Sequence, residues 1–247
     1  MERWGRRATA RFGRGICGAL VLAMPAAAAL ADDDPEAAGI DRRFDLAFGI
    51  MVASDYVDGA GSKSGGKPVV RVYVEPRFGP FFAGVAMANV DLRDPPDRAR
   101  LETKIYGGLR YRLEPLQLKL TVGRTIYAGL PSENATSLEL EAEAELSERL
   151  EVEAEVEHKV EQQEWEIRAG LAFKAFEKTY LLAGVGREFG EDTATFWMAG
   201  MRYRINDSLS ATLAYHGSQA DYHKIVGSLS FDTSINRLAG RPSDGAD

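Results

Sequence analysis

Residues 138–157 read LELEAEAELSERLEVEAEVE. Leucine, alanine and glutamate are good helix formers, so propensity alone favours a helix. The spacing argues otherwise. Apolar and acidic residues alternate with period two, the repeat of a strand, whose successive side chains point to opposite faces. Wound as a helix, the stretch would scatter both sets around the axis and bury nothing. It therefore reads as two strands, 137–146 and 150–160, joined by a three-residue hairpin loop, Ser147-Glu148-Arg149, that sets Leu146 opposite Leu150. One face carries Leu138, Leu140, Leu146, Leu150, Val152 and Val156. The other carries Glu139, Glu141, Glu143, Glu145, Glu151, Glu153, Glu155 and Glu157.

The same alternation runs along the chain. FDLAFGIMV (44–52), LETKIYGGLRYRL (101–113), LQLKLTVG (116–123), WEIRAGLAF (165–173) and LSATLAYHG (209–217) each show one apolar face and one polar or small face. Twelve strands are expected, near 43–56, 68–77, 81–92, 100–113, 116–127, 137–146, 150–160, 163–174, 178–189, 193–204, 208–218 and 222–232. FFAGVAMANV (81–90) and YLLAGVGREF (180–189) are apolar on both faces, which leaves their register open. Strands near ten residues suit a tilted bilayer crossing and are long for a soluble sheet. Short connections at Leu113-Glu114-Pro115, 147–149, 174–177 and 205–207 alternate with longer ones at 57–67, 93–99 and 128–136. Short turns at one end and longer loops at the other mark an outer-membrane barrel. Tyr56, Tyr127, Trp165, Phe189 and Tyr215 near the loop ends, and Phe44, Tyr111, Phe173 and Tyr203 near the turn ends, are expected to form its two aromatic girdles.

The ends of the chain suit export. Residues 1–14 hold five arginines and one glutamate, 15–31 are almost wholly apolar, and Ala29-Leu30-Ala31 is a small-x-small cleavage site. This is a secretory signal peptide over 1–31, cleaved after Ala31. Residues 32–42 are expected as a periplasmic segment, 43–232 as the barrel and 233–247 as a tail. Loss of the leader's net +4 takes the formal charge from −7 to −11, which disfavours nucleic acid as a partner. The only cysteine, Cys17, lies in the leader, so the mature chain has no disulfide and no thiolate metal site.

Further residues bring a family into view. SDYVDGAGSKSGGKPVVRVYVEPRFGPFFAGVAMANVDL (54–92), ETKIYGGLRYRL (102–113) and LTVGRTIYAGLPSENATSLELEA (120–142) resemble the opening strands of the TorF family of proteobacterial porins. That family shows Ser-Asp-Tyr, a glycine-bearing loop, a Gly-aromatic strand ending in Asn-Val-Asp, then Tyr-Gly-Gly and Val-Gly…Tyr-x-Gly segments. The chain departs from it at Val57-Asp58-Gly59, where an aromatic-Arg-Gly is usual, and in the tail after Phe231. The resemblance implies an all-β transmembrane barrel in the outer membrane and names no solute.

In such a barrel the leucines meet lipid and the glutamates line the lumen. Arg71, Lys104, Arg110, Arg112, Lys119, Arg168, Lys174, Arg202, Arg204 and Lys224 share the inward parity and supply a basic lining that flanks the acidic wall. Two outcomes stay open. Opposed charges could hold a transverse field across a narrow water-filled pore, passing small polar or charged solutes. They could instead pair across the lumen and close it, leaving a structural or surface-binding barrel. A soluble barrel with leucines inside has the same alternation. No enzyme is expected. A Ser218–His216–acid site can be sketched, but a histidine at a strand end ordinarily serves an interface. No cofactor or dedicated metal site is expected. Gly-rich GAGSKSGG (59–66) lacks the ending of a phosphate loop and reads as a flexible external loop. Partners are outer-membrane lipid and small solutes. Homo-oligomerisation is left open.

Overall fold

A computed structural model describes residues 44–92, 98–190 and 193–239. The expected signal peptide over 1–31, the expected periplasmic segment 32–42 and most of the expected tail lie outside these residues. Strands β1 (Phe44–Ala53), β4 (Val69–Phe78), β5 (Phe81–Leu92), β6 (Ala99–Leu113), β7 (Leu116–Ala128), β8 (Ala135–Ser147), β9 (Leu150–Lys159), β10 (Glu164–Phe176), β11 (Thr179–Phe189), β12 (Ala194–Arg204), β13 (Leu209–Ser218) and β14 (His223–Ser234) form the wall. Each pairs antiparallel with its chain neighbours, and β1 pairs with both β4 and β14, closing a barrel with no free edge. Two short strands, β2 (Val57–Asp58) and β3 (Gly61–Ser62), make a separate hairpin after β1. A short helix, α1 (Ile235–Leu238), follows β14.

The alternation decides inside from outside. Leu138 is 45% exposed while its neighbour Glu139 is 0% exposed. Ile50, Val72, Ile105, Val122, Ile167, Leu171, Val185, Leu213, Ile225 and Leu229 are likewise exposed on the outer face. So continuous an apolar exterior has no place in water. It suits lipid, as does closure, which satisfies every ladder hydrogen bond in a solvent that offers none. Outward Arg124 and Arg187 stand near the loop ends of β7 and β11. There an arginine costs close to nothing, against about 2–4 kcal/mol at the bilayer midplane.

The two ambiguous strands are settled by their neighbours. Phe82, Ala86, Ala88 and Val90 of β5 and Leu182 of β11 turn inward, and Phe81, Met87, Leu181 and Val185 turn out. Three expectations are corrected. Strand β1 stops at Ala53, because residues 54–56 turn into the barrel mouth. Leu150 pairs with Ser147 rather than Leu146, and the register slips between Glu145 and Ser147, so the turn tightens to Glu148-Arg149. Leu146 thereby stays on the lipid face, 59% exposed. Tyr56 and Tyr127 belong to no girdle: they are 3% and 4% exposed and face inward, because their hydroxyls bond an internal carboxylate. Trp165, Phe189 and Tyr215 at the loop end, and Phe44, Phe173 and Tyr203 at the turn end, are exposed as expected. The main apolar cluster, which includes Ala53, Tyr56, Val69, Val90, Leu92 and Tyr127, sits at the loop end beneath the hairpin.

Candidate functional site

The acidic wall forms as its spacing demands. Glu139 pairs with Glu157, Glu141 with Glu155, Glu143 with Glu153, and Glu145 with Glu151. Like charges opposite one another destabilise a sheet. Cations from flanking strands offset this toward the loop end. Lys104 of β6 contacts Glu139 and lies 3.9 Å from Glu157. Lys119 of β7 lies 2.5 Å from Glu141. Arg168 of β10 lies 3.3 Å from Glu155 and 2.6 Å from Glu166. Lys159, at the end of β9 itself, is 3.7 Å from Glu157. Toward the turn end the pairing thins. Glu143 accepts a hydrogen bond from Gln117 at 3.1 Å, and Glu145 is exposed.

These cations do not stand opposite the glutamates. Lys119 and Arg168 are the direct cross-strand neighbours of Glu141 and Glu155. Half-way round the ring stand β1 and β14, with β13 beside them. Their inward residues are mostly small or hydroxylic, among them Ala47, Gly49, Ser210, Thr212, Ser228 and Ser230, but Met51, His216, Val226 and Asp232 share that face. The ion pairs of the charged side therefore run between neighbouring or next-but-one strands.

The remaining basic residues divide. Arg110 and Arg77 share Glu75, at 3.4 and 2.7 Å. Arg204 lays its guanidinium 5.0 Å from the Tyr180 ring centre. Among the described residues Arg71, Arg112, Lys174 and Arg204 make no ion pair. Arg71 and Arg202 border a cavity of about 370 Å³ inside the barrel, together with Tyr73, Tyr106, Ser230 and Asp232. A space of this size suits a small solute. Glu75, Glu102, Glu166, Glu188 and Asp232 are inward residues that the sequence reading passed over. Each shares the parity of a named cation on its own or an adjacent strand, and that parity was the signal that would have found them.

The loop 54–68 is the largest departure from expectation. It is not a free external loop but a hairpin folded into the mouth. Gly59-Ala60 is the two-residue turn between β2 and β3, and Gly59 takes the left-handed backbone (φ 51°) that glycine adopts without strain. A side chain there would have its Cβ 1.8 Å from Glu188 Oε1 and would push that carboxylate from its place beside the tip. Ala60 donates its N–H to Glu188 at 3.4 Å, and Ser218 donates its hydroxyl to the Ala60 carbonyl at 2.8 Å. That second bond takes up the Ser218 hydroxyl, which the sketched Ser–His–acid site would need; His216 lines the cavity beside it.

The hairpin's flanks are held too. Lys63, 5% exposed, contacts Glu102 and lies 3.4 Å from Asp58. Tyr56 and Tyr127 donate their hydroxyls to the same Glu102 at 3.1 and 3.0 Å. Burial pushes the Lys63 ammonium down to about 7, against the pull of Glu102 and Asp58. Burial raises the Asp58 carboxyl well above its ordinary range. On the other flank Asp55 accepts from Ser62, Ser64 and Tyr222 at 2.5, 2.7 and 2.7 Å, and Lys224 stands 3.1 Å away. Burial alone would raise Asp55, but these donors hold it below the usual carboxylate value. Lys224 also donates to the Gly66 carbonyl at 3.1 Å. The hairpin is thus tied to strands on both sides of the opening.

No family model matches the chain, and no curated protein matches it. Solved structures do. A KdgM porin superposes with a TM-score of 0.56 at 7% identity, covering 76% of this chain and 98% of that one. A KdgM porin in complex with disordered oligogalacturonate gives 0.52 at 8% identity, covering 77% and 97%. The COG4313 outer membrane channel from Pseudomonas putida F1 gives 0.50 at 11% identity, covering 83% and 100%. At these identities the likeness is one of fold, and that fold is the closed antiparallel barrel of outer-membrane porins and channels.

Proposed function

We propose that the protein is a bacterial outer-membrane channel for passive diffusion of small polar or charged solutes. The observation that carries this reading is the inversion of the barrel. Its exterior is apolar and its interior is lined by ionised and hydroxylic side chains around a cavity of about 370 Å³. Water and solutes fit such an interior, and lipid fits such an exterior. The leader over residues 1–31 and the resemblance of 54–142 to the TorF family support export to the outer membrane. The KdgM porin solved with oligogalacturonate supports a polar cargo for barrels of this shape. No catalytic step and no cofactor are part of the reading. The long loops face the exterior of the cell, and the short turns face the periplasm.

The test is the conductance of refolded mature protein in a planar bilayer under a potassium chloride gradient. Discrete steps with a shifted reversal potential would support a charge-selective pore. A second reading, a non-conducting barrel with a structural or surface-binding role, is favoured by one observation: the hairpin across the mouth. A silent bilayer that contains inserted barrel would support it.

A further inference from the structure

We infer that the hairpin 54–67 is a displaceable plug, latched through Lys63, whose release opens the loop end of the pore. The inference rests on the channel reading.

The barrel does not need this segment for closure. Strands β1 and β4 pair without a break from Ala53–Val69 to Phe44–Phe78, so the seam is complete before the hairpin begins. The hairpin therefore lies across the opening without being part of the wall. Its attachments reach round most of the mouth. Asp91 of β5 donates its N–H to the Lys63 carbonyl at 2.7 Å. Glu102 of β6 and Tyr127 of β7 meet at the latch. Glu188 of β11 and Ser218 of β13 hold the tip.

The chemistry of these attachments argues for reversibility. They are ion pairs and hydrogen bonds, and few apolar side chains of the hairpin (Tyr56, Val57, Ala60) join them. Polar groups that leave such contacts for water recover most of what they lose, because docking exchanged water bonds for protein bonds at small net gain. Apolar groups would recover nothing. The latch is also costly to its own members. Lys63 is stripped of water and held by two carboxylates, an arrangement in which desolvation offsets much of the attraction. A docked state built this way lies close in free energy to an undocked one. The β1–β4 ladder, by contrast, has no such alternative in lipid.

The mature chain carries no cysteine, so the idea can be tested by cross-linking. Two variants of the full mature barrel are compared with the parent in planar bilayers in potassium chloride. In the first, residues 57–66 are replaced by Gly-Gly. In the second, Ala60→Cys and Ser218→Cys join the tip to β13. Barrel formation is checked in each by the mobility difference between boiled and unboiled samples. The expected results are a several-fold larger, steady conductance for the shortened loop. The oxidised cross-linked form should stay shut, and reduction should restore openings. Parent-like conductance from the shortened barrel, or openings that persist in the oxidised form, would overturn the plug and leave the channel standing. Silence from the parent and from the folded shortened barrel alike would overturn the channel reading itself.

Discussion

The two ends of the lumen carry the same local sequence and behave differently. At the loop end Glu139 and Glu157 are buried against Lys104, beneath a hairpin that spans the mouth. At the turn end Glu145 faces Glu151 from an exposed position, and Arg204 is exposed as well. The repeat of glutamate at alternate positions is uninterrupted between them. What differs is what the rest of the chain brings over each position. A buried carboxylate requires a partner, because an uncompensated charge in a low dielectric is far more costly than one in water. An exposed one does not. One wall therefore combines a structural half, fixed by pairing, and a solvated half, free to act on passing ions.

The sharpest way to break this contrast is to remove one glutamate from each half. Glu139→Ala would remove the carboxylate that the buried Lys104 ammonium contacts, leave it with the longer approach to Glu157, and cost up to about 3–5 kcal/mol. Glu145→Ala would change stability by less than about 0.5 kcal/mol. Urea unfolding in lipid vesicles measures both, and equal effects would mean that the two halves are not distinct. A smaller effect is expected at the latch. Glu102→Gln keeps an acceptor oxygen for one of the Tyr56 and Tyr127 hydroxyls, which donate to different oxygens, and leaves Lys63 with Asp58, so docking should weaken by about 1–3 kcal/mol. Faster hydrogen exchange at the Asp91 amide, which bonds the Lys63 carbonyl, reports it.

The third change is to function. Replacing Glu141, Glu143, Glu153 and Glu155 together by glutamine should lower the potassium-to-chloride permeability ratio roughly twofold, as loss of lining charge does in channels. An unchanged reversal potential would show that paired glutamates take no part in selectivity. The smallest effect is local and pH-dependent. Glu161, in the loop after β9, is held down to about 2, chiefly by the Thr136 N–H, with the Thr136 hydroxyl and Arg124 adding to it. A carboxylate whose value is lowered by folding contributes stability above its ordinary value of 4.5, and the contribution is lost as pH falls toward 2. Exchange at the Thr136 amide should quicken over that window, and in Glu161→Gln it should be fast throughout.

Much of this was legible in the residues. Apart from the end of β1, strand boundaries fell close to where period two began and ended, because the alternation that buries one face must run the length of the strand. The glutamate pairs followed from the hairpin even though the turn itself is one residue tighter than expected. Tyr127 was misread as a girdle residue, although it shares the parity of Lys119 and Thr121 and so had to face inward. Tyr56 offered no such signal, since it lies beyond the end of β1. The flexible loop expected over 59–66 failed for a deeper reason. Its anchors, Glu102, Glu188, Ser218 and Tyr222, lie far along the chain, and no local pattern links them to Lys63, Ala60 or Asp55.

The sequence by itself determined the strands and, for all but β5 and β11, their inward and outward faces and the charge each face carries. These follow from a repeat between near neighbours, and a strand obeys it wherever it is placed. Only the tertiary structure decided which glutamate meets which cation, which residues stand on the wall opposite the glutamates, and that the mouth is crossed by a hairpin. Those outcomes depend on closure. Until β14 meets β1, strands β11 and β13, to which the tip of the hairpin is tied, do not stand beside it.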